Sequence, residues 1–484
     1  MELETENAMV WNQQSKILAD IVHQKSIEIL MEVGFCVPEE KVLSRLIEAG
    51  FIVNKESKMA KITQELLDTA LKTLPKDFKL FSRTGSQKLD FSNGSYFMGA
   101  GTPVNVLDLE NGVRRSATHK DVCNLITIQD ALSDVDIVRP TVTATDMGEN
   151  SDLVEIAELA RRTEKPIVHR TLSPERIDAA VELLAAVRGG EDALRTHPNF
   201  ATLYCPISPG YFTTENILCM IKWAEFGIPI TLLSMAMGGA SAPVTLLGEL
   251  VVINSDILAW IIVLQILFPG QKLLYGSVSS VLDMRTGILP LGAPERGMIN
   301  SGAAIMGHYY GIPSMCGGLS SDAKELDIQA GYEKAITAVP LLLEGASIIY
   351  GVGATDAGSE ISYSQMIMDA EFIAGLRRMM QGITIHPLNE EIELIKSNTP
   401  RGNFLKSKHT KNNYSRHWQP EILNRDAYET WFKRKESIEE KCRNRAKIIL
   451  KEHKHAPLPM GIESEMERII RRYLGPDFGF EPIN

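Results

Sequence analysis

The chain has 484 residues, of which 44% are hydrophobic and 23% charged, so it carries enough apolar material for a large core, and a disordered or fibrous protein is excluded. Its formal net charge of -11 argues against a general nucleic-acid binder, because such proteins present a basic field to phosphates. The six cysteines form no C-x-x-C pair, so we expect reduced thiols and a cytoplasmic location.

Residues 1–130 predict a cap of helices and a β-hairpin. The first 16 residues are acidic and lack an uninterrupted apolar core, so they do not read as a secretory signal. Helices are predicted over 15–32 and 39–48. The sequence Glu110-Asn111-Gly112 is typical of a hairpin turn.

Residues 131–397 alternate short β-rich runs with helix-length segments, the pattern of right-handed βαβ units around a parallel sheet. Seven runs are clear, and GITI at 382–385 is the candidate eighth. The pattern predicts a (β/α)8 TIM barrel, since no G-x-G-x-x-G follows the first strand as a dinucleotide fold would require. The seven runs lie at 135–146, 165–172, 200–208, 228–237, 272–280, 311–318 and 346–354.

Two further segments, one inside this region and one after it, carry their own predictions. The apolar run 257–268 is shorter than the 20 or so residues that span a bilayer, so it predicts a buried helix that could lie at a subunit contact. Residues 398–484 predict a C-terminal extension packed on the barrel. Its helix over 433–455 carries many charges, which fits a solvated surface or the docking of an acidic protein.

The stretch 316–335 joins a predicted strand to a predicted helix through two glycines. Gly317 and Gly318 permit a sharp turn and close approaches that a Cβ would forbid. Ser321 and Asp322 then place polar groups where a barrel would have its mouth. The alternative is an ordinary connection in which Asp322 caps the following helix.

The other predicted strand ends carry aromatic, sulfur-containing and acidic residues. Each of them can also be structural, because half of the side chains of a strand face the interior or the helices. No H-E-x-x-H occurs, and we predict no bound metal. Aromatic faces beside a carboxylate suit a cation whose charge is spread over methyl groups. The strand-end residues are His169, Tyr204, Met237, Tyr275, Arg285, Tyr350 and Asp356.

Five stretches carry a family resemblance that runs almost end to end. The chain resembles the trimethylamine methyltransferase (MttB-like) superfamily of corrinoid-dependent methyltransferases. This resemblance implies a TIM-barrel enzyme that moves a methyl group from an amine to the Co(I) corrinoid of a separate carrier protein. The stretches are GAGTPVNVLDLENGVRRSAT (99–118), GGASAPVTLLGEL (238–250), YGSVSSVLDMRTG (275–287), ISYSQMIMDAE (361–371) and TPRGNFLKSKHTKNNYSRHWQPEILNRDAYETW (399–431).

The trimethylamine enzymes of that superfamily carry pyrrolysine near the loop after Gly318, whereas this loop reads Leu-Ser-Ser-Asp. The chain therefore resembles the non-pyrrolysine members, which act on quaternary amines such as glycine betaine, proline betaine, carnitine or γ-butyrobetaine. A quaternary nitrogen leaves as a neutral tertiary amine, so the departure needs no metal or general acid. The protein must instead orient the C–N bond in a dry pocket.

The resemblance also directs the choice of site residues. Arg285 and His169 are expected to bind a carboxylate. Related sequences often have His where this chain has Tyr350, which points to a different substrate. The expected catalytic residues are Asp322, Tyr350 and Asp356, and the expected substrate-binding residues are Tyr96, Phe97, His169, Tyr204, Met237, Tyr275, Arg285 and Ser321.

No D-x-H-x-x-G loop occurs, so the resemblance implies that this chain binds no corrinoid tightly and that a partner supplies it to a surface that includes the region after Asn398. We expect no nucleic-acid or membrane partner, and a homo-oligomer is open. Two other functions compete. One is a barrel lyase that uses Lys324 as a Schiff-base amine, and the other is a non-catalytic betaine-binding protein.

Overall fold

The computed structural model describes residues 13–92 and 94–483. The helices of the described residues are α1 (Gln13–Glu32), α2 (Glu40–Glu48), α3 (Gln64–Thr73), α4 (His119–Ala131), α5 (Ser151–Arg162), α6 (Ile177–Arg188), α7 (Glu191–Thr196), α8 (Thr214–Glu225), α9 (Leu246–Leu267), α10 (Pro294–Tyr310), α11 (Ile328–Leu343), α12 (Tyr363–Met380), α13 (Asn389–Asn398), α14 (Lys408–Asn413), α15 (Tyr428–Arg434), α16 (Ile438–Glu452) and α17 (Ile462–Leu474). The strands are β1 (Phe35–Cys36), β2 (Ile52–Asn54), β3 (Met59–Lys61), β4 (Lys79–Phe81), β5 (Lys88–Asp90), β6 (Tyr96–Gly99), β7 (Asn105–Leu107), β8 (Arg114–Ser116), β9 (Ile167–Val168), β10 (Phe200–Tyr204), β11 (Ile230–Ser234), β12 (Met237–Gly238), β13 (Leu273–Ser277), β14 (Ser280–Val281), β15 (Ser314–Gly317), β16 (Ile348–Val352), β17 (Ala354–Thr355) and β18 (Glu360–Ser362).

A curled parallel sheet of seven strands forms the centre, in the order β6-β16-β15-β13-β11-β10-β9. Every neighbouring pair in it is parallel. The strands β10, β11 and β13 are buried along their whole length, as expected of a sheet with apolar groups on both faces. This arrangement confirms the predicted alternation of strands and helices.

Alternate side chains of these strands enter two apolar clusters. One lies against the surrounding helices and the other lies on the inner, concave side of the sheet. The hairpin β4–β5 contributes Phe78 and Leu80 to the inner cluster and closes the amino end of the sheet. The inner side of the sheet is therefore mostly apolar below its carboxyl end, with Thr231 of β11, whose Oγ1 is 4.0 Å from Met315 Sδ, as a polar exception. The inner strand residues are Met98, Ile137, Val168, Ala201, Leu203, Leu233, Leu274, Met315 and Ile348.

The prediction of an eighth strand at 382–385 is wrong. That segment has no regular structure, and Ile383 and Ile385 are 95% and 87% exposed, so its alternating isoleucines have no apolar face to cover them. The neighbour of β16 is instead β6, which lies in the region predicted as the cap. Strand β6 has only four residues, and its pairing with β16 joins segments about 250 positions apart, which no local pattern reveals.

Helix α9 confirms the predicted buried helix and extends it to 22 residues. By length and composition it could cross a membrane, but most of it is buried inside the protein. It packs against α1, α3 and α10. Its uniform apolar character therefore fits a core position.

Three local predictions can be compared with the structure. The turn after Asp108 is confirmed, because it joins the antiparallel pair β7–β8. The helix predicted over 433–455 is shorter in the structure, where it begins at Ile438 with Ser437 as its N-cap. Asp322 does not cap a helix, since α11 begins at Ile328 and the side chain of Asp327 accepts the hydrogen bond from Ala330 N.

Candidate active site

The carboxyl ends of the parallel strands surround a polar mouth above the apolar inner cluster. Along a strand, side chains two positions apart share a face, so the residues that follow Ile137, Val168 and Leu203 by two positions face the same interior. Those residues are Arg139, Arg170 and Cys205. Tyr350 completes the group from β16, where it packs against the inner cluster.

Arg139 brings an unpaired positive charge into this mouth. Its side chain is 3% exposed, and its guanidinium carbon lies 5.3 Å from the ring centroid of Tyr350. Among the described residues, its Nε has no hydrogen-bond partner and no carboxylate lies within ion-pair distance. Burial lowers the pKa of Arg139, because the charged form loses its hydration.

Arg296 brings a second buried positive charge into the mouth, from the first turn of α10. It is 1% exposed, its Nη1 donates to Val278 O at 2.6 Å, and its Nε has no partner among the described residues. Burial lowers its pKa to about 10, so the group stays charged at neutral pH. A Cβ at Gly317 would collide with Nη2 of Arg296, and this is the close approach that the first glycine of the loop allows.

Tyr350 lies between the two arginines. In the register of β15 and β16 it is paired with Gly317, on which Arg296 packs, and its other side carries Arg139. Its Oη lies 2.8 Å from the position that a Cβ would take on Gly101. The absence of a side chain at Gly101 therefore sets how far the phenol reaches into the mouth.

A buried carboxyl–imidazole pair lies behind the strand that carries Arg170. His169 Nε2 is 2.8 Å from Glu155 Oε2, although the ring is turned out of hydrogen-bond alignment. Burial raises the pKa of Glu155 to about 8 and lowers that of His169 to about 3. Both shifts favour the uncharged forms at neutral pH, so this pair does not neutralise the arginines.

The loop after β15 is held by the first turns of α11. The carboxylate of Glu333 accepts from Ser321 Oγ and from Asp322 N, both at 2.7 Å. Asp322 Oδ1 accepts from Leu291 N at 2.7 Å, and burial raises the pKa of Asp322. The predicted residues Ser321 and Asp322 thus lie on a rigid wall near Arg296.

A buried ion pair fixes the start of the same loop. Lys334 Nζ donates to Leu319 O at 2.8 Å and to Asp369 Oδ2 at 2.7 Å. Asp369 also accepts from Gly353 N at 2.7 Å. The pair therefore joins the loops after β15 and β16.

Asp356 lies on the rim and its charge is matched. It is 2.9 Å from Arg114 and 3.0 Å from Lys324. The hydrogen bond from Ser359, the hydrogen bond from Lys324 and the charges of Lys324 and Arg114 lower its pKa. Backbone hydrogen bonds from Asp356 and Ala357 connect it to the loop that carries Ser321. Lys324 is ion-paired and largely exposed, which does not favour it as a Schiff-base amine.

Several predicted residues face the helices instead of the mouth. Tyr204 Oη bonds with Thr171 and Trp223, and Tyr275 Oη donates to Asn254. His169 faces Glu155 in α5. Side chains along a strand face alternately inward and outward, and each of these residues is next to an inward-facing neighbour. The sequence alone does not tell which of the two sets of alternate positions faces inward.

Four further predicted residues also lie outside the mouth. Tyr96 is at the amino end of β6, where its Oη donates to Asp90 O, and Phe97 is fully buried under Arg377. Met237 is half-buried on β12, and the side chain of Arg285 is 89% exposed. The mouth thus contains Tyr350, with Ser321 and Asp322 on its wall, and we leave the other eight predicted residues out of the proposed pocket.

Arg139 and Arg296 are the residues that the sequence interpretation missed. Arg139 lies inside the predicted run 135–146, and a basic residue within an apolar strand-like run was a usable signal. Arg296 gave none, because it lies inside a helix and reaches the mouth only through tertiary packing.

A second cluster, away from the mouth, was also missed. The H-x-H spacing of His453 and His455 is brought to Asp130, and the three could hold a metal ion. Their atoms are already hydrogen-bonded to one another and to Thr127, Thr163 and Arg162 O. These hydrogen bonds connect the end of α4 to the segment after α16.

Comparison with known proteins gives full-length matches. Residues 7–474 match the family model described as trimethylamine methyltransferase (MTTB). The trimethylamine methyltransferase of Desulfitobacterium hafniense is 30% identical over 452 residues, covering 93% of this chain and 91% of its own. The glycine betaine methyltransferase of the same species is 28% identical over 460 residues, covering 93% and 94%.

Among solved structures, the monomethylamine methyltransferase of Methanosarcina barkeri superposes with a TM-score of 0.51 at 13% identity, covering 91% of this chain and 93% of that one. This likeness shows a shared fold. The family match covers nearly the whole chain and confirms the resemblance read from its motifs. The chain belongs to the trimethylamine methyltransferase family.

Proposed function

We propose that the protein moves a methyl group from a quaternary amine to the Co(I) corrinoid of a separate carrier protein. The family match over residues 7–474 carries this proposal. The loop Leu319–Asp322 contains only standard residues, which favours quaternary over tertiary amines. A glycine betaine methyltransferase among the full-length relatives supports the same choice.

The proposed reaction is an in-line displacement. The lone pair of Co(I), which is the nucleophile that the carrier supplies, forms a bond to the methyl carbon. The C–N bond breaks with its electron pair on nitrogen, so a neutral tertiary amine leaves and no proton has to move. The chain contributes orientation and exclusion of water, which can supply several kcal/mol of the barrier reduction.

The inner face of the sheet fits that role. The mostly apolar side chains beneath the mouth limit the access of water from the side of the sheet below Tyr350. The carboxyl of Asp322, held by Leu291 N, provides a fixed negative group on the wall for the ammonium. We propose Tyr350, Ser321 and Asp322 as site residues, with Asp356 organising the rim.

We further propose that the sheet closes into the (β/α)8 barrel. Residues Ile137 and Val138 form isolated parallel bridges to Met98 of β6 and Ile167 of β9, the two edge strands of the sheet. Val138 N donates to Pro166 O at 3.0 Å and Val168 N donates to Val138 O at 3.2 Å. This segment, which lies in the predicted run 135–146, would complete the eight strands, and β6 would take the place that was given to 382–385.

The partner and the compartment are also proposals. The corrinoid carrier would dock over the mouth and contact residues 398–484, whose helix α16 packs on α4 and α12. The cap of residues 1–130, the barrel of 131–397 and this extension stay a predicted division. Six unpaired cysteines fit the cytoplasm. A homo-oligomer remains open.

A spectroscopic assay tests the proposal. The protein, a corrinoid carrier reduced to Co(I) and a panel of quaternary amines are mixed, and the absorbance change from Co(I) to methyl-Co(III) is followed. We expect methylation with at least one quaternary amine and none with trimethylamine. If no quaternary amine methylates either the carrier or free Co(I) cobalamin, the proposal is wrong.

The same samples separate the two competing functions. A borohydride-trapped adduct on Lys324 would favour the lyase. Tight binding of a betaine without methyl transfer to any carrier would favour a binding protein. The ion pair of Lys324 with Asp356 speaks against the first of these.

A further inference from the structure

We propose that Arg139 and Arg296 form a carboxylate subsite at the floor of the mouth. The methyl donor is then a zwitterion that binds with its carboxylate inward and its quaternary nitrogen toward the open end. This inference rests on the proposed function and adds to it the substrate's second charge, its orientation and the residues that select it.

The first step is the state of the two guanidinium groups. Both are at least 97% buried, and each has an Nε without a hydrogen-bond partner among the described residues. A buried charge without a counter-charge is costly, and proteins keep such groups where a ligand or partner completes them. An anion in the mouth would satisfy both arginines.

The second step is their arrangement. Arg139 stacks on one side of Tyr350, and Arg296 lies on Gly317, the register partner of Tyr350 on the next strand. An anion beside the Tyr350 ring therefore lies between the two guanidinium groups. The Tyr350 hydroxyl donates no hydrogen bond to a described residue and is free to bind the same anion.

The third step is preorganisation. Arg296 Nη1 is fixed by Val278 O at 2.6 Å, and Nη2 rests where any larger residue than Gly317 would collide with it. Guanidinium groups present paired N–H donors that match the geometry of a carboxylate. Because the groups are already in place, little side-chain entropy is lost when the anion binds.

The fourth step is orientation. Arg170 adds a third cationic side chain on the inner face, and the uncharged pair of Glu155 and His169 does not offset it. A methylated ammonium alone is repelled by such a floor. A zwitterion with its carboxylate on the arginines directs its ammonium toward the open end and toward a nucleophile that enters there.

The test uses isosteres that separate binding from methyl transfer. 3,3-Dimethylbutyrate has the shape and carboxylate of glycine betaine without its ammonium, and 3,3-dimethylbutanol lacks the carboxylate. In titration calorimetry with the wild-type protein, we expect the butyrate to bind and the alcohol to bind roughly 10²-fold more weakly or not at all. Equal affinity for both would overturn the subsite, and this arm needs no variant to fold.

Variants then locate the subsite. Arg139→Gln and Arg296→Gln should each lower the affinity for 3,3-dimethylbutyrate by roughly 10²-fold. The control Arg468→Gln, at an exposed position, should leave this affinity unchanged. Wild-type affinity in both mouth variants would overturn the assignment, as would a matching loss in Arg285→Ala, because the carboxylate would then lie at the rim.

The methylation assay distinguishes the two proposals. Glycine betaine should be used far better than choline, and this preference should shrink in Arg139→Gln. If choline and glycine betaine are used equally, the subsite is wrong while the proposed function stands. If neither methylates Co(I) but the butyrate still binds in the mouth, the subsite stands and the methyl transfer is wrong.

Discussion

Tyr350 reaches across the mouth because Gly101 has no side chain. A Cβ there would lie 2.8 Å from the phenol oxygen but 3.9 Å from Cζ, so the collision concerns the hydroxyl alone. Contacts below 3.0 Å force a shift, whereas 3.9 Å is ordinary van der Waals contact. The position of the Tyr350 hydroxyl thus depends on a pair of residues, Tyr350 and Gly101.

Gly101→Ala should displace Tyr350 and lower kcat/KM for methyl transfer by roughly 10- to 100-fold, since small displacements of a positioning group have effects of that size. Tyr350→Phe removes the atom that collides. The double variant should therefore be no worse than Tyr350→Phe alone, as measured by steady-state methylation of the carrier. Additive losses in the double variant would contradict the geometry.

Among single residues, Glu155 should also make the free energy of unfolding depend on pH. Its pKa is raised to about 8, mainly by burial and also by the charge of Asp152, against the lowering effects of the Ala144 N–H, Arg139 and Arg170. Because the folded pKa lies above the unfolded value, the stabilisation is complete below about pH 4.5 and is lost as pH rises through about 8. His169, the neighbour at 2.8 Å, stays neutral through this window.

The free energy of unfolding should fall with pH in that window, by at most about 1.4 kcal/mol per pH unit from this group. Glu155→Gln should flatten the profile between pH 5 and 8. Urea unfolding across this range measures it, with the exposed Glu225→Gln as the control. A wild-type slope in Glu155→Gln would show that the carboxyl is ionised throughout.

The sequence predicted some residues that lie at the mouth and others that do not. Tyr350, Ser321 and Asp322 were predicted because they lie in or just after strand-like runs that the residue pattern locates. Tyr204 and Tyr275 lie in such runs equally well but face the helices. A shift of one position reverses the face of a side chain, and apolar strands buried on both sides carry no alternation that fixes it.

Among the elements, α11 stabilises the loop after β15 through side chains on its first two turns. Lys334 is 2% exposed and its partner Asp369 is 1% exposed, so neither charge reaches water. The lysine also holds Leu319 O. Removal of one partner would leave an uncompensated buried charge.

Lys334→Met should destabilise the protein by about 3–5 kcal/mol. Lys334→Met combined with Asp369→Leu should recover much of that loss, since both charges are then absent. The free energy of unfolding in urea is the measurement, and the exposed Lys72→Met is the matched control. A loss below about 1 kcal/mol would mean that water enters the site.

The elements themselves were largely predictable. Runs such as 228–237 and 272–280 read as strands because β-branched and apolar residues are bounded by glycine or proline. Strand β6 was assigned to the cap, since its four residues resemble a hairpin strand and only its pairing with β16 places it in the sheet. Local patterns report elements, and long-range pairing decides their place.

At the scale of the whole molecule, the C-terminal segment is tied to α4. Asp130 Oδ2 lies 2.8 Å from His453 Nε2, and His455 contacts Thr127 and Arg162 O. Hydrogen bonds from His455, Thr163 and His453 lower the pKa of Asp130 to about 2. The tie connects positions more than 300 residues apart.

Asp130→Asn should lower the free energy of unfolding by on the order of 2 kcal/mol at pH 5 to 7. The folded pKa lies below the unfolded one, so the contribution is present above about pH 4 and is lost as pH falls through about 2. The difference between wild type and variant should shrink over that range in urea titrations. The exposed Asp477→Asn is the control, and a constant difference would contradict the tie.

The sequence by itself determined the family, the strand–helix alternation and the loop at 316–335, because these depend on local residue pattern and on motifs that run in order along the chain. The tertiary structure alone decided which strand borders β16, which alternate side chains of each strand face the mouth and which charged side chains are buried. Arg296 shows the reason, since a residue in a helix reaches Val278 O and Gly317 only after βαβ units some 20 to 40 residues long have packed together. Gly317 thus serves the close approach of Arg296, whereas Gly318 allows the loop to pack against Leu341 and Thr337 of α11. Arg296 and Arg139 together give the mouth its charge.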